Sequence, residues 1–145
     1  MTAIIGNGIS LRGIYFEDFQ LPFYLKSGIV AADIGKAVAL DSSAANTVKL
    51  AGADDRIIGR LEVVENRVVE GVLVGTVSVK FANRLPVKAS LTGIDAVAVG
   101  DTVVGAGSGE VKALNNGTDA KTPDYSDNYV VALENSGAYA VVIKV

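Results

Sequence analysis

Cysteine, histidine and tryptophan are all absent from this chain of 145 residues. Without cysteine no disulfide can brace the fold, and the redox state of its compartment leaves no mark on the sequence. Without histidine or cysteine there is no Ser-His-Asp triad, no thiolate nucleophile and no ordinary zinc site. Charge is scarce as well: 20% of the residues are charged against 50% apolar, and the mean hydropathy is +0.38. A monomer that must wet its whole surface usually carries more charge than that, which points to self-association or to a face covered by a partner. The 13 Lys and Arg run from Arg12 to Lys144 without a cluster, and the formal net charge of −3 leaves no footprint for phosphate backbones. Direct binding of nucleic acid is not expected. No apolar run reaches the roughly 18 residues of a membrane-spanning helix, and the N-terminus lacks the basic start and apolar stretch of a secretion signal. A soluble product, made in the cytoplasm, is the expectation.

What is present is β chemistry. Val77, Val79 and Phe81 alternate with Ser78 and Lys80, while Tyr129 to Leu133 and Tyr139 to Ile143 are rich in β-branched and aromatic residues that suit a pleated, partly buried surface. Turn residues punctuate the chain at short intervals: Gly28, Gly52, Gly59, Asn66, Gly71, Gly75, Asn83, Gly93, Gly100, Gly105 to Gly109, Asn115 to Gly117, and Ser136-Gly137. Little room is left for helices; a turn or two around Ser42 to Ala45 and a weaker candidate over Ser10 to Phe19 are the best of them. Glu134 to Ala138 reads as a hairpin, and so does Val64 to Val68. The length is that of one ordinary domain with one core. The expected fold is therefore all-β, a small antiparallel β-barrel or β-sandwich of about eight strands, with an irregular N-terminal arm over residues 1–27 ahead of a single domain over residues 28–145.

Two segments resemble one another. Gly28 to Val38 and Gly93 to Val103 share a Gly-Ile start, a second glycine at Gly35 and Gly100, and a valine at Val38 and Val103. Each is followed by a valine-lysine pair, Val48-Lys49 and Val111-Lys112. The physical reading is a loop that turns at the second glycine, enters a strand and returns. Duplication of one β unit explains the match, and so does convergent turn chemistry.

Candidate sites for chemistry are weak. Gly105-Ala106-Gly107-Ser108-Gly109 has the glycine content of a phosphate cradle, but Glu110 to Leu114 reads as a strand where such a cradle needs a helix, so a hairpin turn is expected. Asp54-Asp55 beside Arg56 matches no calcium loop and reads as a solvated turn. The spacing of Asp33, Asp41 and Glu62 predicts no shared cleft for a general acid and base. Asn115 to Asn128, polar and containing Pro123, reads as an exposed loop; Asn116-Gly117-Thr118 within it has the form of a glycosylation acceptor, which carries no weight without a secretion signal. No catalytic, cofactor-binding or metal-ligating residue is identified, and no enzyme is expected.

The aromatic residues carry more. Tyr15, Phe16, Phe19, Phe23 and Tyr24 crowd five of the nine aromatics into ten positions. Aromatic side chains bury large areas and are enriched at the centres of protein interfaces, so these five are the candidate contacts with a partner or a second subunit; the alternative is that they cap one end of the barrel core.

From Gly28 to Leu114 the order of features, Gly35-Lys36-Ala37-Val38, Thr47 to Gly52, Asp54 to Leu61, Gly71 to Val79 and the Gly100-Asp101 turn, resembles the capsid decoration, or cement, proteins of tailed bacteriophages. The resemblance implies a β-rich structural virion protein that attaches to the capsid exterior after shell expansion. It implies the major capsid protein as partner, bridged between neighbouring subunits, and self-association as a dimer or trimer. It carries over no functional residue, and the aromatic arm lies outside the matched region. The other class left open is a β-domain, unrelated to capsids, that binds a small ligand or another protein.

Overall fold

The computed structural model describes residues 20–69, 71–79, 86–89, 96–114 and 128–144. Ten strands follow one another: β1 (Gln20–Leu25), β2 (Ala37–Leu40), β3 (Thr47–Leu50), β4 (Gly59–Val69), β5 (Val72–Val79), β6 (Pro86–Lys88), β7 (Val103–Gly107), β8 (Glu110–Ala113), β9 (Asn128–Glu134) and β10 (Tyr139–Lys144). The all-β expectation holds, and one short 3-10 turn at Ala31–Asp33 is the helical element among the described residues.

The first five strands close into a barrel in the order β1-β3-β2-β4-β5, with β1 pairing antiparallel to β5 and parallel to β3. This corrects the expected arm boundary after residue 27. Pro22 lacks an N–H and argues against a strand on its own, yet Gln20–Leu25 is a barrel strand, in register from Gln20↔Ser78 to Tyr24↔Val74. Residues 1–19 of the expected arm, with Tyr15, Phe16 and Phe19, lie outside the described residues.

The last five strands repeat the circuit. β6-β10-β9 form one sheet and β7-β8 another, joined by isolated bridges: Ala89↔Val111, parallel, beyond the end of β6, and Thr102↔Tyr129, antiparallel, just before β7. Each pairing of this half has a counterpart in the first. The parallel contact Leu25↔Val48 matches Ala89↔Val111, and Ala37↔Arg60 matches Thr102↔Tyr129. The β-bulge falls at the same place too. Leu61↔Val77 is followed by Val63↔Thr76, and Val130↔Val142 by Ala132↔Val141. Pro22↔Thr76 corresponds to Pro86↔Val141, so a proline occupies the same ladder position in both halves.

The loops agree with the ladders. The Gly35 N–H donates to the Leu61 carbonyl and the Leu61 N–H to that of Lys36; the Gly100 N–H donates to Val130 and the Val130 N–H to Asp101. Gly35 and Gly100 have φ of +97° and +93°, a conformation that costs a residue with a Cβ about 1 kcal/mol or more, so the same turn demands the same residue twice. Convergent turn chemistry explains a short motif but not matched pairings throughout ten strands with a bulge shared at Leu61 and Val130. The chain is a tandem repeat of one five-stranded unit.

Two cores follow, where chain length alone suggested one. Leu25, Ile29, Val38, Val48, Leu61 and Val77 fill the first barrel. Val87, Val97, Val103, Val111, Val130 and Val142 fill the second, together with Ala37, Ala51 and Ile57 from the first. The Val64 to Val68 segment is not a hairpin: β4 continues through it with a register shift against β5, and the turn comes between Val69 and Val72. Ser42 to Ala45 is a turn without a helix, whereas Asn135–Gly137 turns between β9 and β10 as expected.

The two units meet along a seam of main-chain bonds. Ala37 N–H donates to Gly109 O at 2.8 Å, Gly109 N–H to Ala51 O at 3.0 Å, Asp54 N–H to Gly105 O at 2.9 Å and Gly105 N–H to Asp55 O at 2.9 Å. A Cβ on Gly105 would lie 2.1 Å from the Gly52 carbonyl oxygen, and one on Gly109 would lie 2.6 Å from Lys36 Cβ. Gly105→Ala should therefore push the units apart and destabilise the protein by about 1–3 kcal/mol, the usual cost of overpacking. A urea titration checks this; an unchanged midpoint would mean that the seam gives way without cost.

Candidate interaction surface

Phe23 and Tyr24 are the two candidate aromatics within the described residues, and β1 separates their roles. Phe23 packs against the first core, as a capping side chain would. Tyr24 is half-buried, and its N–H donates to the Asn46 carbonyl at 2.8 Å, which ties β1 to the tip of the β2-β3 hairpin. Together with Pro22 and Val74 the two rings line a shallow, mainly apolar depression of about 320 Å³ that ends at Asn46. Such a surface suits a protein contact: it offers aromatic area and little to orient a small polar molecule.

The acidic residues are dispersed and individually engaged. Asp33 accepts the Lys36 ammonium at 2.8 Å and the Val30 N–H at 2.9 Å. Asp41 accepts the Ser43 N–H and hydroxyl and lies 3.3 Å from Lys26, while Glu62 pairs with Arg60. Each of the three is held by its own neighbours in the chain or across a loop. Asp54 and Asp55 are more structural than a solvated turn would be. Lys112 reaches Asp54 at 2.7 Å across the seam, and Asp55 holds both Lys49, at 2.9 Å, and the Gly52 N–H, at 2.8 Å. Each carboxylate already faces an ammonium, an arrangement that competes with a cation. The Gly105 to Gly109 stretch turns at Ser108-Gly109 into β8, the expected hairpin, and its amides serve the seam rather than a phosphate.

The repeat exposes features that residue-by-residue reading passes over. Ile34 and Val99, each directly before the turn glycine of its unit, are 45% and 61% exposed. Large apolar side chains thus stand out at the same place on both barrels. Elsewhere the units diverge. Arg60 and Glu62, an ion pair beside the first bulge, correspond in register to Tyr129 and Val131, both exposed. The signal for Ile34 and Val99 lay in the aligned Gly35 and Gly100; that for the outer face of β9 lay only in knowing the register.

No protein-family model, no curated protein and no solved structure matches this chain.

The electrostatics of the loops are local. Hydrogen bonding to Lys36, then to the Val30 amide, holds the Asp33 carboxyl below its ordinary value of 3.8. The Ser43 amide and hydroxyl, with Lys26, do the same for Asp41. A carboxyl whose folded pKa is depressed contributes stability that is complete above its unfolded value and is lost as the pH falls through the folded one. Acidification below 3.8 should therefore destabilise the wild-type protein more steeply than Asp33→Asn. Urea midpoints measured from about pH 5 down to pH 2 check this, and parallel curves would remove Asp33 as a contributor.

Proposed function

We propose that this chain is a structural protein of a virion that binds the outside of a tailed-phage capsid and stabilises it by bridging neighbouring major capsid subunits. The observation that carries the reading is the repeat, with Ile34 and Val99 presented at matched positions on two joined barrels. Bridging needs two attachment points held at a fixed separation, and a tandem of one unit fused by main-chain bonds supplies them. On a repetitive shell the second contact forms at high effective concentration, so two weak contacts hold as one strong one. The resemblance of Gly28 to Leu114 to decoration proteins supports the same conclusion, as does a charge-poor composition suited to close packing against protein. Copies of the chain associate with one another on the shell as a dimer or trimer. A small-ligand carrier is less favoured, because buried Leu25, Val38, Val48, Leu61 and Val77 fill the interior of the first barrel.

Sedimentation with empty expanded heads tests this reading. The wild-type protein should pellet at a saturating, fixed ratio to the major capsid protein, and Ile34→Asp or Val99→Asp alone should weaken binding by on the order of 100-fold through loss of avidity. A chain that stays in solution beside matching heads would return it to an interaction domain of another kind. Deleting residues 1–19, and not 1–27, tests the aromatic arm, since a longer cut removes β1 from the barrel. Barrels that stay folded with weaker attachment are expected; undiminished attachment would rule out Tyr15, Phe16 and Phe19 as contacts.

A further inference from the structure

We infer that copies of this chain join head to tail through the counterpart of the seam that joins its own two barrels. The seam pairs unlike surfaces. The first barrel contributes Lys36, Ala37 and Ala51 to Asp55, and the second contributes the β7-β8 hairpin from Gly105 to Gly109. A contact between unlike surfaces of like units leaves one of each outside that contact, and such heterologous contacts propagate into rings or filaments.

Register identifies the counterparts of both surfaces among the described residues. Gly105, opposite Val111, corresponds to Leu40, opposite Val48, and Gly109, directly before β8, corresponds to Asn46, directly before β3. Gly109 and Asn46 share the left-handed conformation, with φ of +78° and +54°. The first barrel therefore carries its own version of the gripping hairpin, and Leu40 on it is 57% exposed. On the second barrel, the Leu114 N–H donates to the Thr102 carbonyl as the Ala51 N–H does to that of Ala37, which makes Leu114 the counterpart of Ala51.

The surface around Leu40 is also continuous with the existing seam. Leu40, Ala39 and Ile58 line a depression of about 240 Å³ with Asp55, whose carbonyl accepts the Gly105 N–H inside the seam. The occupant is thus a second copy of this chain, presenting its Leu114 end. The two joins differ in one respect. Leu40 has the side chain that Gly105 lacks, so main chains cannot approach as closely, and the contact between copies is apolar packing of Leu40 against Leu114.

This inference rests on the self-association in the proposed function but not on the capsid, and capsid-free protein tests it separately. Analytical ultracentrifugation should give a multiple of the 14.9 kDa chain mass, and Leu40→Asp should return it to the mass of one chain. A second measurement covers a variant that fails to fold. A Cβ on Gly105 would lie 3.2 Å from Ala51 Cβ, close to the span of a disulfide. Under mild oxidation, Leu40→Cys mixed with Leu114→Cys should form a disulfide between copies of this otherwise cysteine-free chain, while neither variant alone does. A single-chain mass for the wild type, an unchanged mass for Leu40→Asp, no disulfide in the mixture, or one in Leu40→Cys alone would each overturn the head-to-tail contact.

Discussion

Main-chain pairing between the two five-stranded units is possible only where no side chain stands between them. That constraint governs this molecule. A closed barrel has used its strand edges, and what remains for a neighbour is the amides and carbonyls of loops and hairpin tips. Gly105 and Gly109 bring one such tip against Ala51 to Asp55, and the bonds exchanged there turn two small units into one body. The second core depends on the same approach, since Ala37, Ala51 and Ile57 of the first unit complete it. A buried bond from the Asn128 amide to the Ile57 carbonyl, 3.3 Å long, fastens the start of β9 to the same segment.

Once a unit is duplicated, the positions where its copies differ carry more information than those where they agree. Agreement at Gly35 and Gly100, or at Leu61 and Val130, is what one fold demands of any sequence that adopts it. The exchange of Leu40 for Gly105 marks where one hairpin was adapted to grip a neighbour in the same chain. The exchange of Arg60 and Glu62 for Tyr129 and Val131 marks a sheet face that is charged on one barrel and apolar on the other. Neither exchange is required by the interior. Both therefore concern what lies outside the unit.

Alternation and turn chemistry made the β architecture legible in the sequence, and so did the Gly105 to Gly109 and Glu134 to Ala138 hairpins. The shared segments beginning at Gly28 and Gly93 were legible as a pattern but too short to separate duplication from convergence. The bulge and the ladders, which decide the matter, are long-range facts with no local signature. Two misreadings have local causes. Pro22 disguised β1, since a residue without an N–H is a poor ladder member, although its position is repeated by Pro86. Glu65-Asn66-Arg67 looked like a turn because it is polar, whereas it lies within an eleven-residue strand. Of the candidate contacts, Phe23 and Tyr24 were visible as aromatics; Leu40, Ile34 and Val99 were not, because an apolar residue in a strand-rich chain reads as core until its exposure is known.

The ion pairs bear on how such a surface finds its partner. Lys26 with Asp41, Lys36 with Asp33, Lys49 with Asp55, Arg60 with Glu62, Lys88 with Glu110 and Lys112 with Asp54 neutralise one another at close range. Pairs of this kind contribute little individually to stability when exposed, but together they cancel the field that the charges would otherwise project. A net charge of −3 spread in this way steers nothing over distances beyond the Debye length of about 8 Å in physiological salt. Recognition is then left to short-range apolar contact, which is slow to find its target and only weakly sensitive to salt. Under the proposed attachment to a repetitive shell, the number of sites would compensate for the absence of long-range attraction.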